Sequence, residues 1–251
     1  RIIKKLGMMF NPVLMQMQPR ELAIPIETIR TNINIPRVWF RAFTEPQVCE
    51  QMNKFVRETN YSHYLVNSDD AILYKRAVDT VLQNAPKCDI FTAWVNMHMN
   101  GEEMSTISNV ATSRLPIFDH DKWPEKEDFP EYLTIGEVLN KPNNFEVCVV
   151  CFCISSFKRN VLLEYPLQTY RNTNASDHHI SYRIQRDGKY KIWTHRDAFC
   201  RHLRQGWSPL KHKWLVGNET PSIIYELEPE QYSTEGKKQN YLYEPLFVKQ
   251  N

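Results

Sequence analysis

An α/β architecture with a mostly parallel central sheet is what this sequence predicts, and three observations predict it. Short apolar runs alternate with helical stretches of about 11–15 residues through the N-terminal half, the pattern of βαβ units. At 251 residues the chain suits one large domain, or a core with a tail, and can bury a sizeable core. Its apolar (42%) and charged (24%) fractions are those of an ordinary globular protein, so no fibrous or disordered class competes.

The first strand is read around Asn11–Met17, after Asn11-Pro12. Glu21–Thr31 reads as a helix with Pro25 in its first turn or kinking it. Val38–Phe43 is a short strand. Thr44-Glu45-Pro46 is then an N-cap followed by proline, launching a helix to about Thr59. Its Val48, Met52, Phe55 and Val56 share one face. Tyr61–Asn67 is the next strand, Tyr74–Asn84 a helix, and Asp89–Met97 a further strand. From Met99 to Asn144 the periodicity dissolves into a polar, proline-bearing segment that reads as a long loop or lid. Phe145–Ile154 is nearly continuous in apolar residues and reads as a strand, with a short helix at Lys158–Glu164. The stretch from Ser176 to Gly188 reads as an acidic residue at the mouth of a short amphipathic helix, with Ile180, Arg183 and Ile184 on one face and Gly188 as its stop, followed by a strand at Tyr190–Trp193. Residues 1–213 are assigned to the domain, with 99–144 as its lid, and 214–251 to a C-terminal extension punctuated by Pro221, Pro229 and Pro245.

Several function classes drop out. A net charge of +2, with basic residues spread among 29 acidic ones, does not describe a nucleic-acid binder. No apolar run approaches the ~18 residues of a membrane span, and no signal-peptide pattern opens the chain. The six cysteines form no disulfide framework. Cys148, Cys151 and Cys153 lie in an apolar run and read as reduced core thiols, and no second Cys pair at zinc-ribbon spacing follows. The expectation is a cytoplasmic protein.

Two acidic places carry the chemistry. Asn67-Ser68-Asp69-Asp70 ends an apolar strand, where open parallel sheets bind ligands. Adjacent carboxylates there suit a hard divalent ion, or equally a solvated turn with Asp70 capping the next helix. Asp177 opens a helix whose dipole favours its anion, which suits a carboxylate base and a plain cap alike. His202 follows after a strand. His178 and His179 are expected to be solvated residues of a helix start, and Asp119-His120-Asp121 a hydrated loop. Arg201, Arg204, Lys211, His212 and Lys213 around Trp207 and Trp214 form a basic, aromatic segment. It suits a loop closing on a diphosphate, a surface for anionic lipid, or a solvated face.

Asp177, Arg183, Gly188 and His202 resemble the ED-x-x-L-x-x-R-x-x-x-x-G … H signature of inverting family-2-type nucleotide-sugar glycosyltransferases, which have the glycosyltransferase-A fold. Asn67-Ser68-Asp69-Asp70 resembles that family's D-x-D motif, and Phe145–Arg159 its apolar strand running into basic residues. The likeness spans roughly residues 9–205 and is specific over 61–82 and 145–205. It implies a nucleoside-diphosphate sugar as donor and a carbohydrate, lipid-linked or protein acceptor, the last two allowing peripheral contact with the cytoplasmic membrane surface. It implies Asp70 as a ligand of Mn2+ or Mg2+, His202 completing the metal shell or touching the diphosphate, and Asp69, with Asn67 and Ser68, at the ribose or metal. Arg204 would lie at the diphosphate, and Asp177 would be the general base. The sequence departs from the signature at Ser176, which stands where Glu precedes the base, and at Asn67 and Ser68. One βα unit with its nucleotide-recognising carboxylate is not visible, Glu45 being a weak stand-in. Two alternatives stand beside this expectation. A nucleotidyltransferase would want a glycine- and lysine-rich phosphate loop near the first strand, which Met8–Arg20 lacks. An inactive interaction module on the same fold fits the departures.

Overall fold

The structure, a computed structural model, describes residues 10–18, 35–42, 44–68, 71–95, 107–113, 130–170 and 175–202, and two strands at 223–225 and 245–247. It is α/β, with a large, mostly parallel sheet flanked by helices, consistent with the glycosyltransferase-A type. Strands β1 (Pro12–Gln18), β2 (Arg37–Arg41), β3 (His63–Ser68), β5 (Ile90–Thr92) and β11 (Ile192–His195) run one way. Strands β10 (Ser155–Lys158) and β9 (Asn144–Val147) run the other. The order is β2-β1-β3-β10-β5-β11-β9.

The central strands are apolar on both faces because both faces are covered. Val13, Leu14, Met15, Tyr64, Leu65, Val66, Ile90 and Phe157 are all buried. Helix α1 (Glu45–Glu58) packs on β1 and β2, and buries Val48, Met52 and Val56 as the periodicity predicts. Thr44 is its N-cap, with the Thr44 N–H donating to Gln47 Oε1 at 3.2 Å and Pro46 in the first turn. Helix α2 (Lys75–Asn84) packs on β5, followed by a 3-10 turn at Ala85–Lys87. Its N-cap is Tyr74, so Asp70 is not the cap.

Three expectations need correction. The long strand read over Phe145–Ile154 is β9 followed by an irregular buried segment, 148–154. Its backbone groups are satisfied sideways rather than by a ladder: Cys148 N donates to Ala111 O (2.8 Å) and Val150 N to Ser181 Oγ (2.9 Å). Cys151 N donates to Thr92 Oγ1 (2.9 Å), and Ser155 Oγ to Cys151 O (2.6 Å). An apolar run therefore marked burial, not strand. The strand read over Asp89–Met97 is likewise broken at Ala93, giving β5 and then β6 (Trp94–Val95). The segment read as one long loop carries a hairpin, β7 (Ile107–Ala111) with β8 (Tyr132–Thr134), and helix α3 (Ile135–Leu139). Thr134 and Glu137 close a capping box on α3, with Thr134 N to Glu137 Oε2 at 2.7 Å and Glu137 N to Thr134 Oγ1 at 3.2 Å.

Beyond β10, α4 (Arg159–Glu164) matches the short helix expected there. Helix α5 (Ser176–Asp187) stops at Gly188, whose φ of 64° is the left-handed C-terminal turn that glycine allows. Further along the chain, β13 (Ile223–Tyr225) pairs antiparallel with β14 (Pro245–Phe247). The helix read over Glu21–Thr31 and the Asp119-His120-Asp121 loop lie outside the described residues.

Candidate functional site

Three strands do not end at the carboxyl edge of the large sheet. β3 is followed at once by β4 (Ala71–Ile72), β5 by β6, and β11 by β12 (Phe199–His202), and these form a second sheet of order β4-β12-β6. In it Arg201 lies opposite Ile72 and His202 opposite Ala71, while Phe199 and Cys200 lie opposite Trp94 and Val95. His202 is thus paired, backbone to backbone, with the residue that follows Asp70. Two segments far apart in the sequence meet at the edge where open parallel sheets bind ligands. Aromatic packing holds them there. Phe199 stacks on Tyr74 at 5.9 Å and lies against Trp94 at 4.8 Å. Trp94 Nε1 reaches the carbonyls of His195 (3.2 Å) and Arg196 (3.1 Å), pinning the turn before β12.

The irregular segment 148–154 joins this edge to α5. Asn67, fully buried, donates its side-chain amide to the Cys153 carbonyl, and the Ser68 backbone N–H donates to Phe152 O. From the other end, Ser181 of α5 accepts from Val150 N and donates to Asp177 O (2.6 Å). Segment 148–154 is therefore hydrogen-bonded to the end of β3 at one end and to α5 at the other. Asp69, Asp70 and Arg204 lie outside the described residues, as does the His202 side chain. Among the described residues, no three His, Cys, Asp or Glu side chains gather as a metal site.

Asp177 sits half-buried in the first turn of α5, its Oδ1 accepting from His178 N at 2.8 Å. Burial, and next the Asp177 carboxylate, push the hydroxyls of Tyr132 and Tyr170 up, so both tyrosines face it as neutral phenols. The two histidines beside it are not the solvated pair expected. His179 is buried, edge-on to Tyr170 at 4.9 Å. His178 Nε2 shares a 2.9 Å hydrogen bond with Tyr132 Oη, and burial lowers its pKa to about 4. The hairpin strand β8, through Tyr132, is what meets His178. It arises in the stretch that reads as loop, so no periodicity announced it.

Sequence reasoning missed one partner. Ser176, where the signature has glutamate, is fully buried, and both its N–H (2.9 Å to Oε1) and its hydroxyl donate to Glu45. A carboxylate from α1 thus stands beside the residue before the candidate base. Burial first and Glu45 next push the neighbouring Cys49 thiol up to about 12. The Thr44-Glu45-Pro46 cap was legible, but nothing local linked it to Ser176. All six cysteines are free, with Cys148, Cys151 and Cys153 buried, as expected of core thiols.

No protein-family model matches the chain, and no curated protein matches it in sequence. Among solved structures it is similar to A197 from STIV, at 11% identity over 73% of this chain and 81% of that one, with a TM-score of 0.43. It is also similar to a CMP:2-keto-3-deoxy-manno-octonic acid synthetase complexed with CTP, at 16% identity over 64% of this chain and 63% of that one (TM-score 0.34). A third is the bifunctional IspDF from Campylobacter jejuni, at 10% identity over 73% of this chain (TM-score 0.35), of whose length the chain spans about half, 49%.

Proposed function

We propose that this protein is a nucleotide-dependent transferase whose donor lies at the carboxyl edge of β3 and β5, and specifically an inverting glycosyltransferase using a nucleoside-diphosphate sugar. The observation that carries the reading is the pairing of His202 with Ala71, which brings the candidate histidine ligand to the segment bearing Asp69 and Asp70. A carboxylate and a neutral imidazole are competent donors for Mn2+ or Mg2+, so the residue types at this ladder fit such an ion. Asp70 and His202 would hold it, and when bound it offsets charge developing on the leaving diphosphate. Asp69 would lie at the ribose or metal, and Arg204 at the diphosphate. Asn67 and Ser68 would shape the pocket from the strand end.

Asp177 would take the proton from the acceptor hydroxyl as it attacks the anomeric carbon. Its position supports this: a helix N-terminus favours the anion, and neutral His178, Tyr132 and Tyr170 leave it the charged group among these neighbours. The acceptor is a carbohydrate, lipid-linked or protein hydroxyl, met in the cytoplasm or at the cytoplasmic membrane surface. No helix among the described residues is long and apolar enough to cross a membrane.

Calorimetry with UDP, GDP and CTP, with and without Mn2+, tests the reading on wild type and Asp70→Ala. Metal-dependent binding lost in Asp70→Ala is the expected result. No binding of any nucleotide under either condition overturns it and leaves an inactive interaction module. Nucleotidyl transfer shares the same edge and metal, and release of pyrophosphate from a nucleoside triphosphate would identify it instead.

A further inference from the structure

Residues of α1 and α5 face one another across an open groove, and most of those that line it are polar. Along α1, Glu50, Asn53 and Arg57 recur at helical spacing, and along α5, His179, Arg183 and Arg186 do the same. The two polar stripes line a common cavity of about 620 Å3, whose wall is completed by Pro46 and Cys49 of α1 and, on a third side, by Leu167, Gln168 and Thr169. That third wall is built in. Asn53 donates to Leu167 O and accepts from Leu167 N, both at 2.8 Å. Arg183 Nη1 donates to Pro166 O at 2.8 Å and to Gln168 Oε1 at 3.3 Å, with its guanidinium 5.6 Å from the centre of the Tyr165 ring.

The charges do not balance. Three guanidiniums share the cavity with one carboxylate, Glu50. Arg186 is engaged by Asp187 at 2.8 Å, but the Arg57 guanidinium has no hydrogen-bond or ion-pair partner among the described residues. Burial, and next the positive charge of Arg186, hold Arg183 below the ordinary guanidinium range. Arg183 is half-buried, with Asp187 partly offsetting Arg186, while Arg57 is exposed at the cleft mouth; the guanidinium fork of donors matches phosphate oxygens. The volume is that of a small-molecule site.

We propose that the cleft between α1 and α5 binds a small phosphate-bearing molecule, its phosphoryl group held by Arg57 and Arg183. The lining holds neither Asp177 nor any residue of the β4-β12-β6 sheet, so the site is separate from the proposed donor edge and requires no divalent metal.

Calorimetry of the full chain with inorganic pyrophosphate, in the presence of a chelator, tests this. Saturable binding is expected in wild type, weakened at least about tenfold by Arg57→Gln, as the loss of a charge-assisted contact predicts. Because Arg183 also holds the cleft wall, Arg57→Gln is the decisive variant. Lys54→Gln, on an exposed residue paired with Glu58 outside the cleft, is expected to bind as wild type does. Phosphatidylglycerol vesicles that compete with pyrophosphate would assign the phosphate to a lipid headgroup, and absence of competition to a soluble phosphoester, both within the proposal. Absence of metal-free binding in wild type, or binding undiminished in Arg57→Gln, overturns it. So does binding that needs Mn2+ and disappears in Asp70→Ala, which belongs to the sheet edge.

Discussion

Asp177 stands at a helix start beside the neutral His178, Tyr132 and Tyr170, so replacing it with asparagine removes a carboxylate without opening a cavity. Asp177→Asn is expected to lower the transfer rate by about 10²–10⁴-fold, the range for a lost general base, while metal-dependent nucleotide binding survives. Steady-state rates beside calorimetry check this, and unchanged turnover would remove Asp177 from the chemistry. Glu45 is the second residue to test. Its carboxylate accepts both the N–H and the hydroxyl of buried Ser176, so Glu45→Ala strands two donors. A loss of about 1–3 kcal/mol is expected, the penalty for unsatisfied buried polar groups, read as a lower urea midpoint. Ser176→Ala removes the hydroxyl with its need for a partner and should cost less. Asp177 was legible from its place before a helical stretch ended by glycine. The Glu45 contact was not, because a bond between two helix starts leaves no trace in the local pattern of either.

At the scale of elements, α5 depends on its stop. Gly188 has φ of 64° and open space where a β-carbon would stand, so Gly188→Ala suffers backbone strain alone. About 1 kcal/mol of stability should be lost, and less with Gly188→Asn, as thermal unfolding would show. α3 depends on its start. Thr134→Ala removes the bond from Glu137 N and should cost about 1 kcal/mol, a typical N-cap loss. Helices were the elements best read in advance. Val48, Met52 and Val56, or Ile180 and Ile184, repeat every turn and so report a buried face directly. Cys148–Ile154 misled because burial on all sides imposes the same apolar composition on a strand and on an irregular segment. Only the partners, Ser181, Thr92 and Ala111, distinguish them, and they come from three other elements.

Across the whole molecule, buried histidines couple stability to pH. His63 and His178 have pKa values lowered from 6.5 to about 4, each chiefly by burial. The unfolded chain then takes up protons before the folded one does. Unfolding free energy should therefore fall as pH drops from 6.5 towards 4 and stop falling from this cause below it. Urea unfolding across that range checks the sign, and His178→Asn should flatten part of the slope. The sequence by itself determined the α/β class and the cap and glycine stop of the principal helices. These follow from periodicity and backbone preference, which act over a few residues. Tertiary structure alone decided that β12 enters beside β4, that Tyr132 of β8 meets His178, and that Glu45 meets Ser176. Each of those joins residues far apart in the chain, and the choice among such partners is made by packing the whole core at once.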